Sequence, residues 1–167
     1  VMYEEEFSKI NAICDRLTRD ANAKVVFLVD KNGQLISAAG HTQNIDTTSL
    51  ASLTAGNVAA MGGLAKLIGE NEFPNQIHEG TNESLYMSIV AGRVVLVVIF
   101  DKRTTVGLVR LKVKIVSAEL GKVFADGKAA LACHLAARGR RERPYRGKAD
   151  QPAAGAPGQP GKQPCPT

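Results

Sequence analysis

The chain has 167 residues, 44% hydrophobic and 22% charged, with a formal net charge of +5, which suits one domain with one sizeable core plus an appendage. No window approaches the roughly 18–20 apolar residues of a membrane span, no signal peptide stands at the start, and Cys14, Cys133 and Cys165 are too few and too widely spaced for a disulfide framework. Residues 1–125 hold 13 Lys+Arg and 13 Asp+Glu, whereas 126–167 hold 8 against 3, so the excess charge lies in the tail and says little about the folded body.

Phe7, Ile10, Ile13, Cys14 and Leu17 recur at helical spacing from Tyr3 to about Asp20, with Glu4, Glu5 and Glu6 in the first turn, where the helix dipole favours negative charge. Val25–Val29 is apolar and ends at Asp30; Lys31-Asn32-Gly33-Gln34 turns, and Leu35–Ala39 returns. Asn-Gly between apolar runs predicts a hairpin in which both residues take positive φ.

The stretch from Asp46 to Gly69 is the most unusual in the chain. Asp46, Thr47, Thr48 and Ser49 supply helix-start chemistry, and the spacing predicts Leu50, Leu53, Met61, Leu64 and Ile68 on the inward side. No Asp, Glu, Lys or Arg occurs from Thr47 to Ala65, so the expected outward residues, Ala51, Ser52, Ala55, Ala59, Gly62 and Gly63, form a smooth uncharged face. Glycine in a helix interior costs roughly 1 kcal/mol relative to alanine, and Gly56, Gly62 and Gly63 all lie in this one. Two readings fit: a second helix or partner protein lies close against the small residues, or the helix is wholly buried in a larger core.

A loop with Pro74 leads to a short strand at Asn75–Glu79, expected at a sheet edge. Ser84–Val90 follows, then an Ala91-Gly92 turn and Arg93–Phe100, whose uninterrupted apolar run predicts a strand in mid-sheet with both faces covered. Thr104 or Thr105 caps a last helix to about Phe124, with Leu108, Leu111, Ile115, Leu120 and Phe124 inward and Arg110, Lys112, Lys114 and Lys122 outward. The order helix, hairpin, helix, three strands, helix predicts an α+β fold: a five-stranded antiparallel sheet between a long central helix on one face and the two terminal helices on the other. The outward small-residue helix beside an open edge predicts a symmetric dimer.

The domain is expected over 1–125 and a basic Ala/Arg/Gly/Pro-rich tail over 126–167. A short basic helix fits Ala129–Ala137, and six of seven prolines fall between Pro144 and Pro166, so that stretch is expected to be disordered. Arg138, Arg140, Arg141, Arg143 and Arg146 suit contact with nucleic acid or an acidic membrane surface, or simple solvation, and with only Tyr145 interleaved solvation is the favoured reading.

Catalytic constellations are missing. His41, His78 and His134 stand apart from one another and from any cysteine or carboxylate at ligand spacing, so no metal site is expected. No Gly-rich loop ends in Lys-Ser or Lys-Thr, and Ser37, Ser49, Ser88 and Cys14 have no base at readable spacing. Asn82-Glu83-Ser84 matches a glycosylation acceptor by chance composition. The pattern favours a binding module over an enzyme, without cofactors.

The order of elements, the hairpin VVFLVDKNGQLIS, the helix TTSLASLTAGNVAAMGGLAKLIGE and the strand pair LYMSIVAGRVVLVVIFD resemble the Roadblock/dynein light-chain family, from about Met2 to Phe124. Within it the chain looks like bacterial gliding-motility members that activate a Ras-like small GTPase. The resemblance implies homodimers whose central helices pair and whose edge strands join two sheets, with Ala51, Ala55, Gly62, Asn75, Gln76, Ile77 and His78 at the interface. It implies that the paired helices receive the GTPase in its GTP form on Ser52, Ala55, Gly56, Ala59, Gly63 and Lys66. Such activators often insert an arginine, and Arg110 is the nearest candidate; remodelling of the GTPase by the docked surface is the other route. A cytoplasmic location, with concentration at a cell pole, is implied too. The basic tail departs from the acidic extension of those relatives. The rival readings are a scaffold that binds a GTPase or motor peptide without changing hydrolysis, and a small-ligand sensor using the crevice between sheet and helix.

Overall fold

Ile10, Cys14 and Leu17, all fully buried, form the inward stripe of the first helix, α1 (Met2–Asp20), in a computed structural model that describes residues 2–126. The expectations for the tail beyond residue 126 lie outside the described residues. Helix α1 is followed by the hairpin β1 (Val25–Asp30) and β2 (Leu35–Gly40), the central helix α2 (Thr47–Leu67), the strands β3 (Asn75–Glu79), β4 (Glu83–Val90) and β5 (Val94–Asp101), and α3 (Val106–Asp126). The five strands form one antiparallel sheet in the order β2-β1-β5-β4-β3.

The fold is the α+β architecture expected. Alternation along the central strands feeds two cores: Val26, Leu28, Leu96, Val98 and Phe100 pack with α1 and α3 on one face, while Val25, Phe27, Val29, Val95 and Val97 meet α2 on the other. Strand β5 lies at the centre with every residue from Val94 to Phe100 buried, and β3 lies at an edge, as its flanking Pro74 and Gly80 predicted. The other edge, β2, carries α1 against it; Ser37 donates to Asn11 Oδ1 at 2.6 Å.

The β1–β2 turn differs from expectation. Gly33 alone has positive φ (+87°), and Asn32 does not. The carboxylate of Asp30 organises the turn instead, with Oδ1 accepting from the Asn32 N–H at 3.0 Å and the Gln34 N–H at 2.8 Å. A register shift between Leu28 and Val29 absorbs the extra residue on β2. It is the β4–β5 turn that places two consecutive residues, Ala91 and Gly92, at positive φ.

Two inward faces are corrected. In α3 the residues against the sheet are Val109, Val113, Val116, Leu120 and Phe124, whereas Leu108, Leu111 and Ile115, expected inward, are exposed. In α2 the buried residues are Ala51, Thr54, Val58 and Ala65; Leu53, Leu64 and Ile68 point outward, and Ala51, expected outward, is packed against the sheet. Small side chains let α2 sit close on a sheet face already bulky with Phe27 and five valines and isoleucines.

Burial pushes the Cys14 thiol up to about 11, a contact with Ser37 opposing the shift. The thiolate is the reactive form, so iodoacetamide at neutral pH is expected to spare Cys14 in the native protein and label it in denaturant, read by peptide mass spectrometry. The folded value lies above the ordinary 9.0, so the contribution to stability is whole below that pH and fades as pH rises toward 11.

Candidate functional site

Helix α2 is fixed at both ends. Asp46 Oδ1 accepts from the Thr48 and Ser49 N–H groups, each at 3.1 Å, and Oδ2 takes the Ser49 hydroxyl. The Ser49 hydroxyl, followed by these backbone donors, holds the Asp46 carboxyl below its usual range. At the other end Gly69, at φ +85°, donates to Lys66 O while Glu70 donates to Ala65 O at 3.0 Å, closing the helix with a left-handed cap.

Between the caps, the part of α2 that does not touch the sheet divides into two strips. One carries Ser52, Gly56, Ala59, Gly63 and Lys66, all exposed. Ala55, half-buried at its margin, lies beside Gly33 of the hairpin turn: a methyl group on Gly33 would stand 3.2 Å from Ser52 Cα and 3.6 Å from Ala55 Cβ. The small side chains at 51 and 55 therefore have an intramolecular cause. Those further along do not, because a methyl group added to Gly56, Gly62 or Gly63 would meet nothing within 4 Å. No packing inside the protomer offsets the helix-propensity cost of these three glycines.

The second strip, on the flank away from the hairpin turn, carries Leu53, Leu64, Leu67 and Ile68, which are 72%, 47%, 83% and 66% exposed. Sequence reasoning missed it because it took large apolar residues as inward. The spacing of Ala51, Thr54, Val58 and Ala65 was the available signal, but small residues carry little weight in an apolar periodicity.

Of the expected site residues, Ser52, Ala55, Gly56, Ala59, Gly63 and Lys66 thus fall on one strip of α2. Arg110 does not join them: it lies on α3, across the sheet, lining a recess with Asn75, Tyr86, Ser88, Lys114 and Ser117. Among the expected interface residues, Ala51 is 1% exposed within the protomer and is not available to a partner, while Gly62 is half-buried. Asn75, Gln76, Ile77 and His78 lie on β3, whose outer edge is unpaired, with Asn75 and Ile77 on the α3 side and Gln76 and His78 on the α2 side. Among the described residues no group of three His, Cys, Asp or Glu side chains is placed to hold a metal ion, and no helix is long and apolar enough to cross a membrane.

A five-stranded antiparallel sheet with one helix on one face and two on the other is the Roadblock arrangement. The chain belongs to the Roadblock/LC7 domain family, whose model matches residues 9–100. Among solved structures it is 80% identical to Myxococcus xanthus MglB, with a TM-score of 0.71 over 72% of this chain and 98% of that chain. It is 27% identical to the gliding protein MglB from Thermus thermophilus, with a TM-score of 0.69 over 72% of this chain and 92% of that one. An MglB with a tetrameric arrangement is also 27% identical, with a TM-score of 0.68 over 72% and 91%. No curated protein sequence matches. Homology of this degree implies a gliding-motility regulator of the Roadblock family.

Proposed function

We propose that the chain is a homodimeric regulator of cell polarity and gliding motility that binds a Ras-like small GTPase, of the MglA kind, in its GTP form and accelerates GTP hydrolysis. The observation that carries this reading is the exposed strip of α2, which is uncharged from Ser52 through Gly56, Ala59 and Gly63 up to Lys66 at its C-terminal end, and whose glycines have no use inside the protomer. A surface of that kind admits a partner backbone closely and without desolvating a charge. The strip offers no arginine, and Arg110 is on the opposite layer, so stimulation by an inserted guanidinium has no group to act through on this face. Remodelling of the GTPase, which brings its own catalytic residues into line, is the mechanism left to a surface of small side chains.

The dimer rests on the second strip. Three large exposed apolar side chains on α2 and a fourth, Ile68, at its C-cap exceed what a solvated helix carries, and the unpaired β3 edge offers a ladder of backbone groups. Ala51 leaves the expected interface and Leu53, Leu64, Leu67 and Ile68 enter it. The proposed location is the cytoplasm, concentrated at a cell pole.

Single-turnover hydrolysis by the GTP-loaded GTPase, with and without this chain, tests the reading together with light scattering of the mixture in GTP and in GDP. A GTP-dependent complex with faster hydrolysis is expected. A complex with unchanged hydrolysis would establish the scaffold reading, which a strip of small side chains also accommodates; no complex would reject both.

A further inference from the structure

On the face of the sheet opposite α2, a half-open recess of about 550 Å³ lies between α3 and the β3–β4 edge, lined by Asn75, Tyr86, Ser88, Arg110, Lys114 and Ser117. Asn75 and Ser88 are paired across the β3–β4 ladder, and Ser88 shares its sheet face with Tyr86 and Val90. Tyr86 and Val90, its neighbours on that face of β4, both belong to the apolar core. Ser88, only 6% exposed, is one of four buried polar or charged residues among those described.

Three features of this recess lack an explanation inside the protomer. Arg110 and Lys114, one helical turn apart on α3, set like charges side by side, which disfavours a helix, and no carboxylate lines the recess to balance them. Neither Arg110 nor Lys114, both exposed, has a carboxylate partner among the described residues, a state shared with other surface cations such as Lys66 and Lys122. The hydroxyl of Ser117 is buried with no hydrogen-bond partner, an arrangement that native proteins seldom leave without a ligand or water.

We propose that this recess binds a phosphate group. The guanidinium of Arg110 presents a planar fork of donors and the ammonium of Lys114 a compact charge, a pairing suited to phosphate oxygens. The Ser88, Ser117 and Tyr86 hydroxyls and the Asn75 amide add further donors. Together they exceed what the two oxygens of a carboxylate accept, and they match the three or four of a phosphate. A free phosphorylated small molecule and the headgroup of an anionic phospholipid present the same group. Arg110 is thereby assigned a role on a face distinct from the GTPase-docking strip.

The test uses the full chain. Inorganic pyrophosphate is titrated while the backbone amides of Ser88 and Ser117 are followed by NMR; in parallel, co-sedimentation is measured with vesicles of phosphatidylcholine containing phosphatidylglycerol. The Arg110→Gln/Lys114→Gln pair and Ser117→Ala are compared with the parent, and the arginines of the tail contribute a background common to all. Saturable shifts at Ser88 and Ser117 that weaken at least tenfold in the double variant support the site for free phosphate. Vesicle binding lost in the double variant, without a pyrophosphate response, supports the site with a lipid headgroup as its source. Ser117→Ala, which removes only an unpartnered hydroxyl, is expected to keep the fold and weaken binding several-fold. Responses equal in parent and double variant, an equal response to chloride, or no response to either probe would overturn the proposal.

Discussion

Arginine introduced at both Ala59 and Gly63 is expected to abolish the stimulation of GTP hydrolysis while leaving a folded dimer. The two positions lie one helical turn apart on the exposed strip of α2, and a Cβ added at Gly63 has open space around it, with no neighbouring group within 4 Å. Replacing a helical glycine raises helix propensity by roughly 0.5–1 kcal/mol, so the substitution at 63 favours α2. Docking suffers instead, because two long cationic side chains hold the partner backbone away and lose their water if it approaches. A desolvated, unpaired charge costs several kcal/mol, and each 1.4 kcal/mol is about tenfold in affinity, so the complex is expected to weaken by roughly a hundredfold or more. Circular dichroism and light scattering verify the fold and dimer; single-turnover hydrolysis verifies the loss. Unchanged stimulation would move the docking surface away from this strip.

How far the sequence disclosed these surfaces depended on charge. Helix α1 was read correctly, to its buried Ile10, Cys14 and Leu17, because Glu4, Asp15, Arg16 and Arg19 mark its outer face. The strands were legible from alternation and turn residues: β3 has the expected bounds and edge position, and β5 the expected burial. Helix α2 has no charge over its first nineteen residues, so nothing in its pattern distinguished the side against the sheet from the side against a partner, and Leu53, Leu64 and Ile68 were assigned to the wrong one. In α3 the same preference for large residues put Leu108, Leu111 and Ile115 inside, where Val109, Val113 and Val116 fit better beneath the helix. The strip Ser52, Gly56, Ala59 and Gly63 was visible as an uncharged stretch with glycines in a helix. The recess was not, since Asn75, Ser88 and Arg110 are brought together only by the β3–β4 pairing and the return of α3 over it.

Lysine at both Leu64 and Leu67 is expected to convert the dimer to monomers. The two leucines are 47% and 83% exposed in the protomer, so neither substitution opens a cavity, and lysine in the last turns of a helix suits its dipole. In a two-fold interface every substitution appears twice. Burying a leucine contributes about 1.5–3 kcal/mol, so four lost leucines, even only partly buried, amount to several kcal/mol before the repulsion of four lysines is added. At about 1.4 kcal/mol per factor of ten, dimer dissociation is expected to strengthen by at least about a thousandfold. Light scattering across a concentration series should fall from two chain masses to one while circular dichroism is unchanged. Persistence of two chain masses would confine the interface to the β3 edge or to another surface. The same variant separates the two roles assigned to α2. The exposed strip with Ala59 and Gly63 is left intact on each monomer, so monomers that bind the GTPase without accelerating hydrolysis would mean that stimulation requires both helices acting on one partner.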